Sequence, residues 1–175
     1  MNQKDFEKQK KIIREKFNEP RKIKCISSKD AAGVDDGICN GGDIFATEDG
    51  ELIYLDYHLV DFDVVELAKY IELAENLYEK HQKKVNICLI CPRTVNVTVR
   101  ECPIKSDSNF SIKLYCSQDD PCEVILEGIK SKIRNNALLT RRDISELEML
   151  PVICNRKDRN YYRVESLRII NEFYY

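Results

Sequence analysis

Asp43, Asp56 and His58 carry the most chemically suggestive spacing in this chain. They lie within Gly41-Gly42-Asp43-Ile44-Phe45-Ala46-Thr47-Glu48-Asp49-Gly50-Glu51-Leu52-Ile53-Tyr54-Leu55-Asp56-Tyr57-His58, where two β-rich runs flank Asp49-Gly50. Asp-Gly supplies the positive-φ positions of a type I′ turn, so the run predicts two antiparallel strands joined by a two-residue loop. Counting outward from that loop faces Glu48 with Glu51, Phe45 with Tyr54, and Asp43 with Asp56. Carboxylates directly opposite, with Cβ atoms about 5 Å apart, repel each other. A hard divalent cation such as magnesium or manganese would offset that repulsion. His58, two positions beyond Asp56, shares its face by period-two alternation, while Ile44, Ala46, Ile53, Leu55 and Tyr57 are left to build core. The competing reading leaves both acids as hydrated strand-end residues. An extra residue in the turn would slip the register and part them.

The elements that must position these residues are legible in order. Residues 2–17 form an amphipathic helix with Phe6, Ile13 and Phe17 on one side, closed by Glu19-Pro20. Ile23 to Ile26 is a short strand, and Ser27 to Gly42, with four of the six glycines, is a loop that is either plain surface or a lid over the carboxylate pair. It lacks the Gly-Lys-Ser/Thr ending of a nucleotide-binding loop. After the hairpin, Asp61 or Asp63 can cap a helix over 63–81 whose stripe reads Val64, Leu67, Ala68, Ile71, Ala74 and Tyr78, with Lys69 off the stripe. Val85 to Cys91, stopped by Pro92, is an apolar strand, and strand, helix, strand in that order predicts a parallel pairing and a mixed sheet. Val95–Val99 and Phe110–Tyr115 read as further strands. Asp119-Asp120-Pro121 opens a helix, Thr140 caps another that stops before Pro151, and Tyr161 to Tyr175 fits strand or helix equally.

Charge and composition narrow the class. The chain has 175 residues, 43% hydrophobic and 33% charged, enough for a single domain over 1–175, with a core at about 2–91 and an elaboration at about 92–175. No apolar run is long enough to span a membrane and the Lys-rich start is no secretory signal, so no membrane partner is expected and a cytoplasmic location is the expectation. Residues 1–29 hold 10 basic and 4 acidic side chains, residues 30–81 hold 2 and 14, and residues 82–175 hold 16 and 12, giving +6, −12 and +4. An acidic centre framed by basic surfaces suits a phosphate-bearing partner, although solvated helix faces give the same pattern. Of the eight cysteines, Cys88 and Cys91 have zinc-like spacing, but on one strand they point to opposite faces and no second such pair completes four ligands.

Helix, strand, hairpin with an acid on each strand, helix, strand is the αβββαβ order of the PD-(D/E)XK nuclease superfamily. Gly42-Asp43-Ile44, Asp49-Gly50-Glu51 and Leu55-Asp56-Tyr57-His58, with Ala68-Lys69-Tyr70, the strand ending Cys91-Pro92, and Leu139-Thr140-Arg141-Arg142-Asp143 through Leu150-Pro151, resemble its recombination-promoting nuclease and transposase-associated group across most of residues 20–151. The resemblance implies a restriction-endonuclease-like α/β fold, a mixed sheet flanked by helices with extra C-terminal strands and helices. It implies metal-dependent hydrolysis of DNA phosphodiesters, with Asp43 and Asp56 holding Mg2+ or Mn2+. His58 stands where the group has lysine or glutamine and would orient the water. Lys69 is the candidate for a lysine moved to the following helix, and Glu15, or less so Glu7, for a helix glutamate completing the metal site. Many nucleases of this fold cut as dimers, so a homodimer is a candidate assembly. The His58 departure equally fits an inactive nuclease fold serving as a nucleic-acid-binding or regulatory interaction module.

Overall fold

The computed structural model describes residues 1–26, 41–99 and 109–173. The Ser27–Gly42 segment read as a lid lies outside these residues except for Gly41 and Gly42, as do Cys39 and Cys102. Helix α1 (Gln3–Phe17) is opened by Asn2, whose side chain accepts from the Asp5 amide. Strands β1 (Ile23–Cys25), β2 (Asp43–Thr47) and β3 (Leu52–Tyr57) form an antiparallel meander. Helix α2 (Val64–His81) then carries the chain to β4 (Val85–Pro92), parallel to β3, and β5 (Phe110–Ser117) adds parallel to β4. The result is a five-stranded mixed sheet in the order β1-β2-β3-β4-β5, flanked by helices. Helices α3 (Pro121–Arg134), α4 (Arg141–Ile153) and α5 (Arg159–Phe173) complete the chain.

Both faces of the sheet are core. Leu52, Tyr54, Val85, Ile87 and Leu89 pack under α2, while Phe45, Ile53, Leu55, Tyr57, Cys88 and Ile90 pack under Ile13 and Phe17 of α1 and Val124 of α3. Every residue of β3 is buried. A third cluster joins Cys122, Leu126 and Ile129 of α3 to Leu147 and Leu150 of α4 and Tyr162 and Ile169 of α5. Gly128 lets α3 lie directly on the sheet, since a Cβ there would sit 2.9 Å from Cβ of Tyr57. Among the described residues, no helix is long and apolar enough to cross a membrane.

The hairpin register differs from expectation by one residue. Asp43 pairs with Leu55, Phe45 with Ile53 and Ala46 with Leu52, so Asp43 does not face Asp56. Thr47 N–H donates to Glu51 O at 2.9 Å and Gly50 N–H to Thr47 O at 3.0 Å, which makes the loop Glu48-Asp49-Gly50. Only Gly50 in that loop has positive φ, at +85°. A type I′ loop needs positive φ at both centres, whereas a three-residue loop needs it only at the closing glycine. The Thr47 side chain favours the wider turn by accepting from Glu51 N–H at 3.1 Å.

Other departures have similar tertiary causes. Val95–Val99 is not a strand: the run makes one bridge, Phe62 to Val97, and lies against the α2 face, because the link from β4 to a parallel neighbour must cross the sheet. The buried stripe of α2 is Leu67, Tyr70, Leu73, Ala74 and Leu77, rotated from the expected one, and Val64 is exposed. Helix α4 runs through Pro151, because Leu147 and Leu150 are wholly buried and Cys154 N–H still closes on Leu150 O at 3.1 Å. The C-terminal segment is helix α5.

Gly50 has open space around its Cβ position, so Gly50→Ala tests conformation alone. The substitution should lower unfolding free energy by about 1 kcal/mol, measured by urea titration, with Gly50→Asn retaining more stability than alanine.

Candidate functional site

The one-residue change in register sends the two acids to opposite faces, because strand side chains alternate. Asp43, on the α1 and α3 side, is wholly buried and meets the last turn of α3. Its Oδ2 accepts from Ser131 Oγ at 3.0 Å and Arg134 Nη2 at 2.9 Å, and its Oδ1 accepts from Asn135 Nδ2 at 3.0 Å. Ser131 Oγ and Asn135 Nδ2 also donate to Gly41 O, at 3.2 and 2.9 Å. Gly41 is held so closely, at φ +84°, that a Cβ would stand 2.8 Å from Cβ of Ala137. Ser131, Arg134 and Asn135 recur at helical spacing, the signal by which they belong to one cluster, but no local pattern names their partner. Beside them Tyr57 Oη donates to Gln9 Oε1 at 2.8 Å, and buried Gln9 Nε2 and Arg134 Nε have no hydrogen-bond partner among the described residues.

Asp56 lies on the α2 side. Its Oδ2 accepts from Tyr70 Oη at 2.8 Å and its Oδ1 from Tyr57 N–H at 2.8 Å. Burial raises its pKa to about 6 against the lowering effect of these two donors, with a smaller raising contribution from Asp43. His58 Nδ1 is 3.1 Å from the same Tyr70 oxygen. The Tyr70 hydroxyl thus lies within hydrogen-bond reach of both Asp56 and His58. His58 Nε2 is buried, and the His58 and Phe62 rings meet at 88° with centroids 5.1 Å apart. Burial holds the His58 pKa below the ordinary histidine range, opposed by the Asp61 backbone and Glu66.

The structure therefore brings Asp56 and His58 together through Tyr70. Lys69, half-exposed and ion-paired with Glu66, is close enough to His58 to depress its pKa, as is Arg142. Asp43 does not join that group. Glu15 is exposed on α1 and pairs with Lys11 at 3.8 Å, and Glu7 is likewise exposed with Lys10 at 3.2 Å. Tyr70, which connects Asp56 to His58, was the residue that sequence spacing missed. Its phenol sits in an apolar stripe, and nothing local distinguishes it from an ordinary core tyrosine.

A hard divalent ion needs free carboxylate oxygens converging within about 2.0–2.6 Å of one point. Here the Asp43 oxygens are taken by a guanidinium, a hydroxyl and an amide, and the Asp56 oxygens point to the other face. The paired carboxylates expected to hold magnesium or manganese thus do not fit a shared ion. Among the described residues, no group of three or more His, Cys, Asp and Glu converges on one point. What remains chemically is a carboxylate, phenol and imidazole relay able to hold a proton inside the α2 face.

Two outcomes follow. The Asp56 pKa rises on folding from 3.8 to about 6, so its contribution to stability is present below pH 3.8 and lost as pH rises through about 6. Asp56→Asn should therefore stabilise the fold at pH 7 by up to about 3 kcal/mol, the gain vanishing near pH 4, as read from urea midpoints across pH. Arg134→Met leaves buried Asp43 without its cation and should cost about 3–5 kcal/mol, most of it recovered in the Asp43→Asn/Arg134→Met double variant by thermal unfolding. No protein-family model, no curated protein and no solved structure matches this chain.

Proposed function

We propose that this chain is a nuclease-like fold that does not hydrolyse phosphodiesters and serves as a nucleic-acid-binding or regulatory interaction module. One observation carries the reading: both oxygens of Asp43 are engaged by Arg134, Ser131 and Asn135. An arginine side chain supplies the positive charge that a metal would bring, and it is covalently part of the fold. The element order α1, β1-β2-β3, α2, β4, with an antiparallel meander and β4 parallel to β3, is compatible with the restriction-endonuclease-like core that the resemblance implies. Basic residues outside 30–81, net +6 over 1–29 and +4 over 82–175, favour a phosphate-bearing partner.

A metal-loaded site would couple ion binding to stability. Manganese should leave the melting temperature of the wild type unchanged, and supercoiled plasmid should stay intact with magnesium or manganese while duplex DNA is retarded in a salt-sensitive manner. A manganese-dependent rise in melting temperature, or nicking lost in both Asp43→Asn and Asp56→Asn, would restore the hydrolytic reading with those two residues as ligands.

A further inference from the structure

We propose that Cys91 and Cys116 form a redox modification site, a dithiol that a small-molecule disulfide converts to a reversible cross-strand bond. The two residues are register partners near the C-terminal ends of β4 and β5, flanked by the pairs Ile90 with Tyr115 and Pro92 with Ser117. Their Sγ atoms stand 3.3 Å apart as free thiols, and Cys91 Sγ also lies 3.7 Å from Tyr115 O. A disulfide needs Cα atoms about 4.4–6.8 Å apart, and neighbouring strands about 4.7–4.9 Å apart meet that need. Side-chain rotation brings the sulfurs into bonding distance.

Exposure divides the roles. Cys116 is exposed on the outermost strand, whereas Cys91 is wholly buried. A glutathione disulfide therefore reaches Cys116 first. The Cys116 thiolate attacks one glutathione sulfur, an S–S bond forms, and the other glutathione leaves as thiolate. Cys91 then gives its proton to solvent and attacks the Cys116 sulfur, expelling the second glutathione thiolate. The protein loses two electrons and two protons, and the oxidant becomes two molecules of glutathione. Burial pushes the Cys91 thiol up to about 12, with the Cys116 thiol adding to the rise, so the second step is the slow one. Among the described residues the other thiols lie elsewhere: Cys88 belongs to the core under α1, on the other face of β4, Cys122 and Cys154 lie in the helical cluster, and exposed Cys25 is on β1 at the opposite edge of the sheet. The closed bond fastens the sheet edge where the chain turns into α3.

The test exposes the reduced full-length chain to oxidised glutathione, alkylates it, and maps the peptides by mass. The expected product joins the Cys91 and Cys116 peptides, two hydrogens lighter, and dithiothreitol reverses it completely. Cys91→Ser should stop at one glutathionyl group on Cys116, and Cys91→Ala supplies the same readout if the serine variant fails to fold. In the wild type, closure should accelerate about tenfold per pH unit between pH 7 and 9, following the Cys91 thiolate fraction. A glutathionylated Cys116 that persists beside alkylated Cys91, or Cys116 joined to any other cysteine, would overturn the proposal.

Discussion

Gly50, at φ +85°, closes a loop in which Thr47 rather than Glu48 pairs with Glu51, and that pairing decides which face of the sheet receives each side chain of β2 and β3. In a hairpin with one wet face, the wrong assignment would expose a core residue and the register would correct itself. Here both faces are covered, by α1 and α3 on one side and α2 on the other. An acid on either face is therefore buried, and each must be met by a different helix.

The two acids are met in different ways. Asp43 has a cation and two neutral donors, so its charge is compensated inside the protein. Asp56 accepts from a phenol and a backbone amide, and burial raises its pKa to about 6. The first arrangement is a tie between the start of β2 and the end of α3, tightened by the close approach of Gly41 to Lys132 and Ala137. The second is a proton-holding chain that reaches His58 through Tyr70. A buried ion pair adds little net stability, because desolvation consumes most of its attraction. Its geometry nevertheless positions α3, which belongs both to the sheet packing and to the helical cluster with α4 and α5.

That placement links the fold to the proposed interaction module. Helix α3 reaches β2 through Ser131 and Arg134 and β3 through Gly128, so any partner that moves α3 also acts on the Asp43 tie. The α2 face is separately sealed by Phe62, Tyr70 and the 93–99 crossover, which leaves the His58 relay inside. Such an interior suits a rigid module better than a cleft that must open to a nucleic-acid backbone.

What the amino-acid order determined by itself was local. Asp63, Thr140 and Asp120 cap their helices as their types predict, because a cap is satisfied by amides two or three residues away. The apolar run 85–91 became an interior strand between β3 and β5, and the strand, helix, strand order became a parallel pair. The nearness of Asp56 and His58 on one face also followed from alternation alone. Tertiary structure decided the rest. Asp-Gly is compatible with a two-residue or a three-residue loop, and the Thr47 side chain with packing on both faces chose between them. Arg134 lies 91 positions from Asp43 and Tyr70 lies 14 from Asp56, so no local pattern could assign either partner. The period-two alternation that made the acid pair legible is the same property by which a single extra residue parted it.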